Sequence, residues 1–337
     1  MRILHVKNVA GVATQLRNAQ RQLGHESDIL VFGAGDKQYD HDYIWHNNRI
    51  GQFPTPIGEG VQLIKNFLQF IHLIAEYDVL HFHGYTIIGA DVAPRRPPQG
   101  LDLPFWKLAG KTVIMHHHGS DIRYRGCPYL QKKFADLRLV STPDLLEWDP
   151  EAELVLNPIF TDKYEFVGVN SLTSDDPITV VHAPTDREKK GTKHVIEAVQ
   201  KLKNDGLNID LKIVENTPHD EAIEIYKNAD IIADQFKLGW YGMFCIESMA
   251  FGKPVLVAID DNYKQYAPEL PVIDTSPNEI AETIEMLAND YEYRAKIAKR
   301  SRDFVEQYHD AKVIANRIDG YISGSAKDIP SETGYIL

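Results

Sequence analysis

Residues 239–255 read GWYGMFCIESMAFGKPV; they follow the apolar run DIIADQF at 230–236 and lead into the apolar run PVLVAI at 254–259. Short apolar runs without alternation are typical of strands buried on both faces of a parallel sheet, so the stretch predicts a strand, a helix and a second strand. Glu247 stands out in this helix, because a carboxylate is almost never buried without a partner. We interpret Glu247 as a ligand-binding residue; the alternative is a glutamate paired with Lys253.

The same alternation of apolar runs and amphipathic stretches extends along nearly the whole chain. Helical patterns cover residues 12–23, 60–76, 193–204, 219–228 and 242–251. The other predicted strands are RILHV (2–6), DILVF (28–32), DVLHFH (78–83), TVIMHHH (112–118), LRLVST (137–142), ELVLN (153–157), ITVVHA (178–183), DLKIVE (210–215) and PVIDT (271–275). The pattern predicts an α/β protein with two doubly wound, Rossmann-like domains, each built on a parallel sheet, that face each other across a cleft.

The length of 337 residues exceeds what one ordinary core accommodates and itself predicts two domains. We place the first domain at 1–160 and the second at 178–300. Residues 161–177 are polar and irregular and predict the linker, and residues 301–323 predict a final helix.

Composition and charge narrow the class of protein. The net charge of −12 argues against a broad nucleic-acid surface, and the first residues lack the pattern of a signal peptide. Cys127 and Cys245 follow no metal or redox spacing, which favours a reduced, cytoplasmic setting. The basic pair at 95–96 is a candidate contact for peripheral membrane association, or part of a proline-stiffened loop.

Ligands of doubly wound domains bind at the carboxyl ends of the strands, and several turns there carry candidate residues. Gly11 precedes a helix whose amides favour an anion, although it does not belong to a G-x-G-x-x-G fingerprint and is alternatively a plain turn glycine. Gly242 lets a ligand approach the backbone at the start of the Glu247 helix. Arg187 and Lys190 follow a strand and precede a helix, which suits a phosphate; a solvated charged loop is the alternative.

The histidines at the end of the run TVIMHHH form a second group of candidates. His118 is the last residue before a glycine turn, and Asp121 is placed either to fix its tautomer or to cap the next helix. His81 and His83 share one face of a strand and could bind zinc with a histidine of the neighbouring strand, or serve as hydrogen-bonded strand-end residues. The sequence DHD at 40–42 matches the Asp-x-Asp of metal-dependent transferases, but it lies away from any strand end.

Over essentially its full length the chain resembles the retaining family-4 glycosyltransferases of GT-B fold. The signature is G-x-x-x-x-E-x-M-A-x-G-x-P-V from Gly242 to Val255. Further matching segments, in the order of the family, are GVATQLRNAQRQLGHESDIL, DVLHFHG, HHHGSD, STPDLLEW followed by LNPI, and KKGTKHVIEAV. The resemblance implies that the first domain binds the acceptor, that the second binds a nucleotide-diphosphate sugar, most simply a UDP-sugar, and that the final helix crosses back to the first domain.

The resemblance also implies roles for individual residues. Glu247 falls on the glutamate that binds the ribose, and Lys190 falls on the lysine that pairs with the diphosphate, with Arg187 in the same loop. His118 falls on the histidine near the reacting centre. The other positions implied to lie at the donor are Gly11, Asp121, Gly239, Gly242, Met243 and Phe244. No metal and no cofactor beyond the donor is implied.

Two positions depart from the family pattern. The family has a second glutamate where this chain has Gly239, beside Trp240 and Tyr241, and an arginine where it has Thr185. The expected function is transfer of a sugar to an unknown glycan, lipid or small-molecule acceptor with retention of configuration. The alternatives are a catalytically silent nucleotide-sugar-binding subunit that supports a partner transferase, and a nucleotide-sugar 2-epimerase of the same fold.

Overall fold

The computed structural model describes residues 1–32, 40–45, 56–88, 99–170 and 176–324, with the backbone alone over 56–63. The chain divides into two compact units. Unit 1 consists of Met1–Pro158 together with Ala311–Leu337, and unit 2 consists of Ile159–Asp310. The basic pair at 95–96 lies outside the described residues.

Within the described residues, unit 1 is built on a parallel sheet of seven strands in the order β3-β2-β1-β4-β5-β6-β7. Its strands are β1 (Arg2–Val6), β2 (Glu26–Phe32), β3 (Tyr43–Trp45), β4 (Val79–His83), β5 (Thr112–His117), β6 (Leu137–Val140) and β7 (Glu153–Leu154). Its first helices are α1 (Val12–Gln22), α2 (Pro56–Glu76), α3 (Leu103–Leu108) and α4 (Tyr129–Phe134).

Unit 2 is built on a parallel sheet of five strands in the order β12-β11-β10-β8-β9. Its strands are β8 (Ile178–His182), β9 (Ile209–Ile213), β10 (Ile231–Ala233), β11 (Val255–Val257) and β12 (Ile273–Asp274). Its helices are α5 (Arg187–Lys190), α6 (Thr192–Asn204), α7 (His219–Lys227), α8 (Met243–Ala250), α9 (Ile280–Asn289) and α10 (Tyr291–Tyr308).

The last helix, α11 (Ala311–Ser323), belongs to unit 1 although it follows unit 2 in the chain. Ile314 and Ile318 pack in the cluster that contains Leu16 of α1, and Asp319 is hydrogen-bonded to His25 at 2.7 Å. The segment after unit 2 is therefore held in the core of unit 1 by apolar burial.

The prediction of an α/β protein with two parallel, Rossmann-like sheets is confirmed. Each predicted strand is present. Central strands such as β10 and β11 are buried on both faces, whereas the edge strand β9 exposes Asp210 and Lys212. The pattern missed the short strand β3 and the helix α3, which lies in a stretch predicted as a loop and buries Trp106 completely.

The apolar pattern of α2 does not mark its core face. Phe70, Leu73 and Tyr77 pack in the core of unit 1. The residues Ile64, Phe67, Leu68 and Ile71, which give the helix its regular apolar spacing, are exposed. The helix is therefore apolar on two sides. Among the described residues, no helix has the length and apolar character needed to span a membrane.

The stretch predicted as the linker packs within unit 2 where it is described. Thr161 donates a hydrogen bond to Asp310 at 2.5 Å, and the Gly168 carbonyl accepts one from Lys253 at 2.7 Å. Tyr164 is buried against Phe251. These residues thus contribute side chains to the unit that contains Glu247.

Candidate functional site

In each sheet the strand order reverses between two neighbouring strands, and the chain winds away from that point in both directions. The reversal lies between β1 and β4 in unit 1 and between β8 and β10 in unit 2. Ligands of doubly wound sheets bind in the crevice outside the carboxyl ends of the strands at such a point. The turns that follow these strands are therefore the place to look for functional side chains.

In unit 2, the turns after β8 and β10 meet through a buried ion pair. Lys190 Nζ donates to Asp234 Oδ1 at 2.8 Å, and the Gly242 amide approaches Asp234 Oδ2 at 3.3 Å. Asp234 is fully buried, and a Cβ on Gly242 would lie 3.8 Å from Lys190 Nζ. The ammonium group thus lies at the N-terminus of α8, where the helix dipole also attracts an anion.

Glu247 lies just over one turn into α8 and is 7% exposed. Its Oε1 accepts hydrogen bonds from Tyr164 Oη at 3.1 Å and from His219 Nε2 at 2.8 Å. The bond to Glu247 raises the pKa of His219, while burial and the same carboxylate raise the pKa of Tyr164. The Lys253 ammonium donates to Gly168 and burial lowers its pKa to about 8, so the pairing of Glu247 with Lys253 is wrong.

Arg187 and Lys190 lie at opposite ends of the short helix α5. Asp186 caps this helix by accepting from the amides of Glu188 and Lys189. The Arg187 guanidinium, with a side chain 57% exposed, forms a bidentate ion pair with Glu215 at 2.6 and 2.8 Å. The structure therefore brings Lys190, but not the Arg187 guanidinium, to the Gly242 turn.

The turn before α8 explains why this chain lacks the second glutamate. Gly239 has a φ of 72°, and a Cβ there would lie 3.1 Å from the Cβ of Asp260. Any side chain at this position would be strained in the left-handed region and crowded by its neighbour. Trp240 and Tyr241 stack on each other with ring centroids 4.8 Å apart and are both buried, so neither ring presents an open face.

Met243 and Phe244, which the resemblance assigned to the donor, form the first turn of α8. Met243 is partly exposed at the helix start. Phe244 is buried and packs on Tyr226 with ring centroids 4.6 Å apart. Of the two, Met243 is the one whose side chain reaches the surface beside Gly242.

In unit 1, His118 belongs to a hydrogen-bonded row of side chains on one face of the sheet, which we call the histidine ladder. It runs His5 Nδ1 to His83 Nε2 at 3.0 Å, His83 Nδ1 to His118 Nε2 at 2.9 Å, and His118 Nδ1 to Ser141 Oγ at 2.7 Å. At its far end His5 Nε2 donates to Gln20 Oε1 at 2.8 Å. Since the Gln20 oxygen only accepts, each neutral histidine in turn accepts through Nδ1 and donates through Nε2.

The ladder is uncharged near neutral pH. Burial lowers the pKa of His5 and of His118 to about 4. It also lowers the pKa of His81, His83 and His116 well below the usual histidine range, since each imidazolium would stand among other buried imidazoles. His118 is therefore a neutral ring with both nitrogens already bonded.

Asp121 does not fix the tautomer of His118, contrary to one of the two roles predicted for it. Its Oδ2 accepts from His117 Nδ1 at 2.6 Å, and its Oδ1 accepts from the amides of His118 and Gly119 at 3.1 and 2.8 Å. Burial raises the pKa of the Asp121 carboxyl, but these bonds and the neighbouring histidines outweigh it and the pKa is lowered overall. The carboxylate thus holds the turn that carries His118 through its backbone.

The turn after β1 is conformationally strained. Lys7 and Ala10 have positive φ values of 72° and 51°, and Gly11 follows with a φ of 77° at the start of α1. Strained backbone of this kind concentrates at functional sites. The Lys7 ammonium lies 3.9 Å from the centre of the Tyr85 ring, so a cation lies beside this turn.

Several histidines are close enough to share a metal ion. The groups His5, His81, His83 and His83, His116, His118 each place their ring nitrogens within 4.8 Å of one another. The rings of His81 and His83, however, stack with an angle of 12° between their planes. Nitrogen lone pairs lie in the ring plane, so these two stacked rings do not point at one ion. His83 is hydrogen-bonded through both nitrogens, whereas neither ring nitrogen of His81 has a partner among the described residues.

The Asp-x-Asp sequence at 40–42 is engaged in ion pairs. Asp40 and Asp42 both pair with the buried Arg17, and Asp42 also accepts from Arg21 at 3.0 Å and from the Ile29 amide at 2.9 Å. Burial raises the pKa of Asp42, but these donors outweigh it and the pKa is lowered overall. The motif thus links β2, through the Ile29 amide, to the arginines of α1.

The class of protein follows from the two parallel sheets and from the segment around α8. Residues 204–304 match the family model described as glycosyl transferases group 1. The matched segment contains Gly239, Gly242 and Glu247, and it also contains His219. The resemblance to the GT-B glycosyltransferases is thereby confirmed.

Solved structures extend the similarity of fold to nearly the whole chain. HepE of Anabaena in complex with UDP-glucose has a TM-score of 0.62 at 15% identity, covering 96% of this chain and 100% of its own. Sucrose-phosphate synthase of Thermosynechococcus elongatus has a TM-score of 0.60 at 15% identity, covering 96% and 99%. An α-glucosyltransferase in complex with UDP and a DNA containing an HMU base has a TM-score of 0.64 at 13% identity, covering 96% and 99%.

At these identities the neighbours establish the GT-B fold alone. No curated protein matches the chain significantly. The residues that bind a donor or an acceptor in this chain must therefore be argued from its own side chains.

Proposed function

We propose that the chain is a glycosyltransferase that moves a sugar from a nucleotide-diphosphate sugar to an acceptor hydroxyl. The observation that carries this proposal is the arrangement on α8, where an ammonium and a helix N-terminus lie just over one turn from a buried carboxylate. The ammonium and the helix N-terminus suit a diphosphate, and the carboxylate suits the two hydroxyls of a ribose. The complexes of the fold neighbours with UDP or UDP-glucose support a uridine nucleotide as donor.

Asp234 accepts from the same two groups that would bind the diphosphate. Without a ligand, its carboxylate takes up the two donors that an anion at α8 requires, the Lys190 ammonium and the Gly242 amide. A diphosphate oxygen approaching Gly242 shares these donors with Asp234 rather than meeting a free cation. Lys190 has further N–H groups to offer, since an ammonium carries three donors.

Glu247 holds the ribose in this proposal. An ionised carboxylate has about four lone-pair sites, and Tyr164 and His219 both use Oε1. The two ribose hydroxyls donate to this carboxylate, and binding exchanges them for one or both of its present donors. His219, with a side chain 63% exposed, is the donor best placed to move aside.

The chemical step breaks the bond between the sugar's anomeric carbon and the diphosphate oxygen and forms a bond to the acceptor oxygen. Charge develops on the leaving diphosphate, where Lys190 and the α8 amides stabilise it. We propose attack from the leaving-group face with retention, the acceptor proton passing to the diphosphate, so that no enzyme nucleophile and no metal takes part. We propose that His118 positions the sugar by contact with its neutral ring, since hydrogen bonds to His83 and Ser141 already use both ring nitrogens and hold the ring in place.

Donor hydrolysis tests this function without knowledge of the acceptor. A thermal-shift screen of nucleoside diphosphates and their sugars first identifies the base. Slow hydrolysis of the matching donor is then expected, and His118→Ala reduces it without changing nucleotide affinity. If no donor in a broad panel is hydrolysed, or transferred to lipids, glycans, proteins or small metabolites of a cell extract, the chain is not a transferase.

A silent nucleotide-sugar-binding subunit is the second candidate, and Gly239 is the observation that favours it. A glutamate at this position would take a left-handed conformation with its Cβ 3.1 Å from that of Asp260, which disfavours the residue that would hold the sugar ring. The two functions differ in one measurable respect, because a silent subunit binds UDP and its sugars but neither hydrolyses nor transfers them. We expect the intact donor to bind within about tenfold of UDP, since few contacts remain for the sugar.

Whether Arg187 contacts the diphosphate is a separate question that a variant can answer. Its ion pair with Glu215 must break before the guanidinium can reach a phosphate. Arg187→Ala therefore tests whether it replaces the arginine absent at Thr185. An unchanged UDP affinity in this variant, with Lys189→Ala as the exposed control, assigns the diphosphate to Lys190 without Arg187.

The acceptor is proposed to be a glycan, a lipid or a small molecule, used in the cytoplasm for glycan biosynthesis. The exposed apolar side of α2 supports peripheral association with a membrane or an apolar acceptor. The net charge of −12 supports the proposal that the acceptor is not a nucleic acid, although one fold neighbour was solved with DNA. Sedimentation with neutral lipid vesicles, with and without Leu68→Glu, tests the membrane contact.

A further inference from the structure

A second chemical cluster lies in unit 1 at the carboxyl end of β5, and its three residues are not among those assigned to the donor. His117, Cys127 and Asp149 place one ligand atom each within 4.8 Å of the others, and all three are buried. We propose that these three side chains bind a structural zinc ion. Thiolate and imidazole ligands favour zinc over magnesium or calcium, which prefer oxygen alone.

The distances match a zinc site without any movement of the backbone. His117 Nε2 lies 3.7 Å from Cys127 Sγ. In a tetrahedral site with Zn–N near 2.0–2.1 Å and Zn–S near 2.3 Å, this nitrogen and sulfur are about 3.6 Å apart. The pair is thus already at the separation that zinc imposes.

The tautomer of His117 is set for metal binding. Its Nδ1 donates to Asp121 Oδ2 at 2.6 Å, so the lone pair of Nε2 faces Cys127. A carboxylate that accepts from the distal nitrogen of a histidine is the usual outer partner of a zinc-bound imidazole. In this position Asp121 orients the ring and makes Nε2 a stronger ligand.

Gln131 supplies the second, independent observation. It is fully buried, and its Oε1 lies 3.9 Å from Cys127 Sγ. Within the part of the chain that the structure describes, its Nε2 has no hydrogen-bond partner. Buried amides are normally satisfied, so Gln131 has an incomplete set of partners beside the cluster. Its Oε1 accepts from the Cys127 thiol and becomes available as a fourth ligand once that thiol gives up its proton to bind the ion.

The charges of the cluster also suit a dication. Arg138 donates to Asp149 at 2.7 and 3.3 Å, and each carboxylate oxygen keeps a lone pair for a metal. Zinc binds the thiolate, so its binding releases the Cys127 proton to solvent. The carboxylate and the thiolate then offset the two charges of the ion, while Glu151 also pairs with the Arg138 guanidinium at 2.7 Å.

The site would brace the turn that carries His118. Asp121, which orients His117 through Oδ2, also accepts from the amides of His118 and Gly119 through Oδ1. A metal on His117 therefore stiffens this turn through one carboxylate. The ion has a structural role and takes no part in the transfer step.

Metal content and cobalt spectra of the full chain test the site. After dialysis in metal-free buffer, we expect about one zinc per chain, as a structural site retains its ion. Cobalt(II) in place of zinc should give a thiolate-to-cobalt charge-transfer band. Asp121→Asn should weaken zinc about 10- to 100-fold, and Cys127→Ser at least as much.

Cys245 provides the matched control, because it is a free and fully buried cysteine in unit 2. Cys245→Ser should keep both the zinc and the cobalt band, which assigns the thiolate to Cys127 even if Cys127→Ser does not fold. A chain without zinc and without a cobalt band overturns the proposal. So does a cobalt spectrum without a thiolate band, which assigns the metal to the histidine ladder.

Discussion

At the carboxyl ends of their strands, unit 2 carries ion pairs and unit 1 carries neutral imidazoles. Lys190 with Asp234 and His219 with Glu247 pair opposite charges around α8. The histidine ladder beside β1, β4 and β5 instead consists of rings that burial keeps uncharged. A charged nucleotide gains most from the first arrangement, while the second can only orient uncharged groups. The comparison therefore supports the proposal that unit 2 provides most of the nucleotide affinity.

Acidification should affect the two units differently, and this is the largest effect that we expect. An unfolded histidine binds a proton near pH 6.5, whereas folded His5 does so only near pH 4, although Asp28 and Asp42 raise its pKa and Arg17 lowers it. Stability present above pH 6.5 is lost as the pH falls towards 4, by about 3 kcal/mol for His5 alone at about 1.4 kcal/mol per pKa unit. His81 and His83 add to this loss in the same direction.

Hydrogen exchange measures the loss in each unit separately. After correction for the intrinsic pH dependence, the amides of β1 and β4 should lose more protection between pH 7 and pH 5 than those of β8 and β10. In unit 2, burial also lowers the pKa of His182 at the end of β8, so a smaller loss is expected there. Neither ring nitrogen of His81 has a hydrogen-bond partner among the described residues, so His81→Leu should not destabilise at pH 7 and should flatten the pH dependence. Equal loss of protection in both units would remove the distinction between them.

Removing Lys190 should destabilise unit 2, because Asp234 is fully buried. A buried charge that loses its partner costs about 3–5 kcal/mol, so Lys190→Met should lower the free energy of unfolding in urea by that amount. Lys190→Met with Asp234→Asn should recover most of the loss. Lys189→Met, at an exposed ion pair, should change stability by less than about 1 kcal/mol. A double variant as unstable as the single one would show that the pair is not the cause.

The pH dependence of UDP affinity should reveal the role of His219. Its pKa is raised by the bond to Glu247, so the stability from this pair is present below pH 6.5 and is lost as the pH rises through the raised pKa. Deprotonation frees the Glu247 oxygens for ribose, and UDP affinity should therefore increase with pH, by up to about tenfold. Calorimetry of His219→Gln should show a flat profile over the same range; a profile unchanged from the original chain would mean that His219 does not compete with ribose.

The sequence predicted the strands of both sheets well because nearly all are continuous apolar runs that only a doubly covered sheet can bury. Strand β3 and helix α3 were not predicted, because each is short and depends on tertiary contacts. The regular spacing of apolar residues in α2 did not identify its core face, because the helix is apolar on two sides and spacing alone does not show which side meets the core. Burial of Phe70 and Leu73 decides that question.

Two residues of the candidate site could be predicted from the sequence. Lys190 lies in a loop between a predicted strand and a predicted helix, and Glu247 is a carboxylate within an otherwise apolar helix. Their partners could not be predicted, because Tyr164, His219 and Asp234 come from segments far away in the chain. Asp234, like Glu247, is an acidic residue within an apolar run, but that run was interpreted only as a strand and Asp234 was not predicted as a site residue. Cys127 offered no signal at all, since only the fold brings it to His117.

The most direct test of the assignment of nucleotide affinity to unit 2 is the dissociation constant of UDP, measured by calorimetry for the original chain and two variants. Glu247→Ala should weaken UDP by about 2–3 kcal/mol, because two charge-assisted hydrogen bonds to ribose are lost. His118→Ala should leave the constant within about twofold, since its neutral ring in unit 1 contributes to the sugar and not to the nucleotide. An unchanged constant in Glu247→Ala, or an equal loss in both variants, would contradict the account.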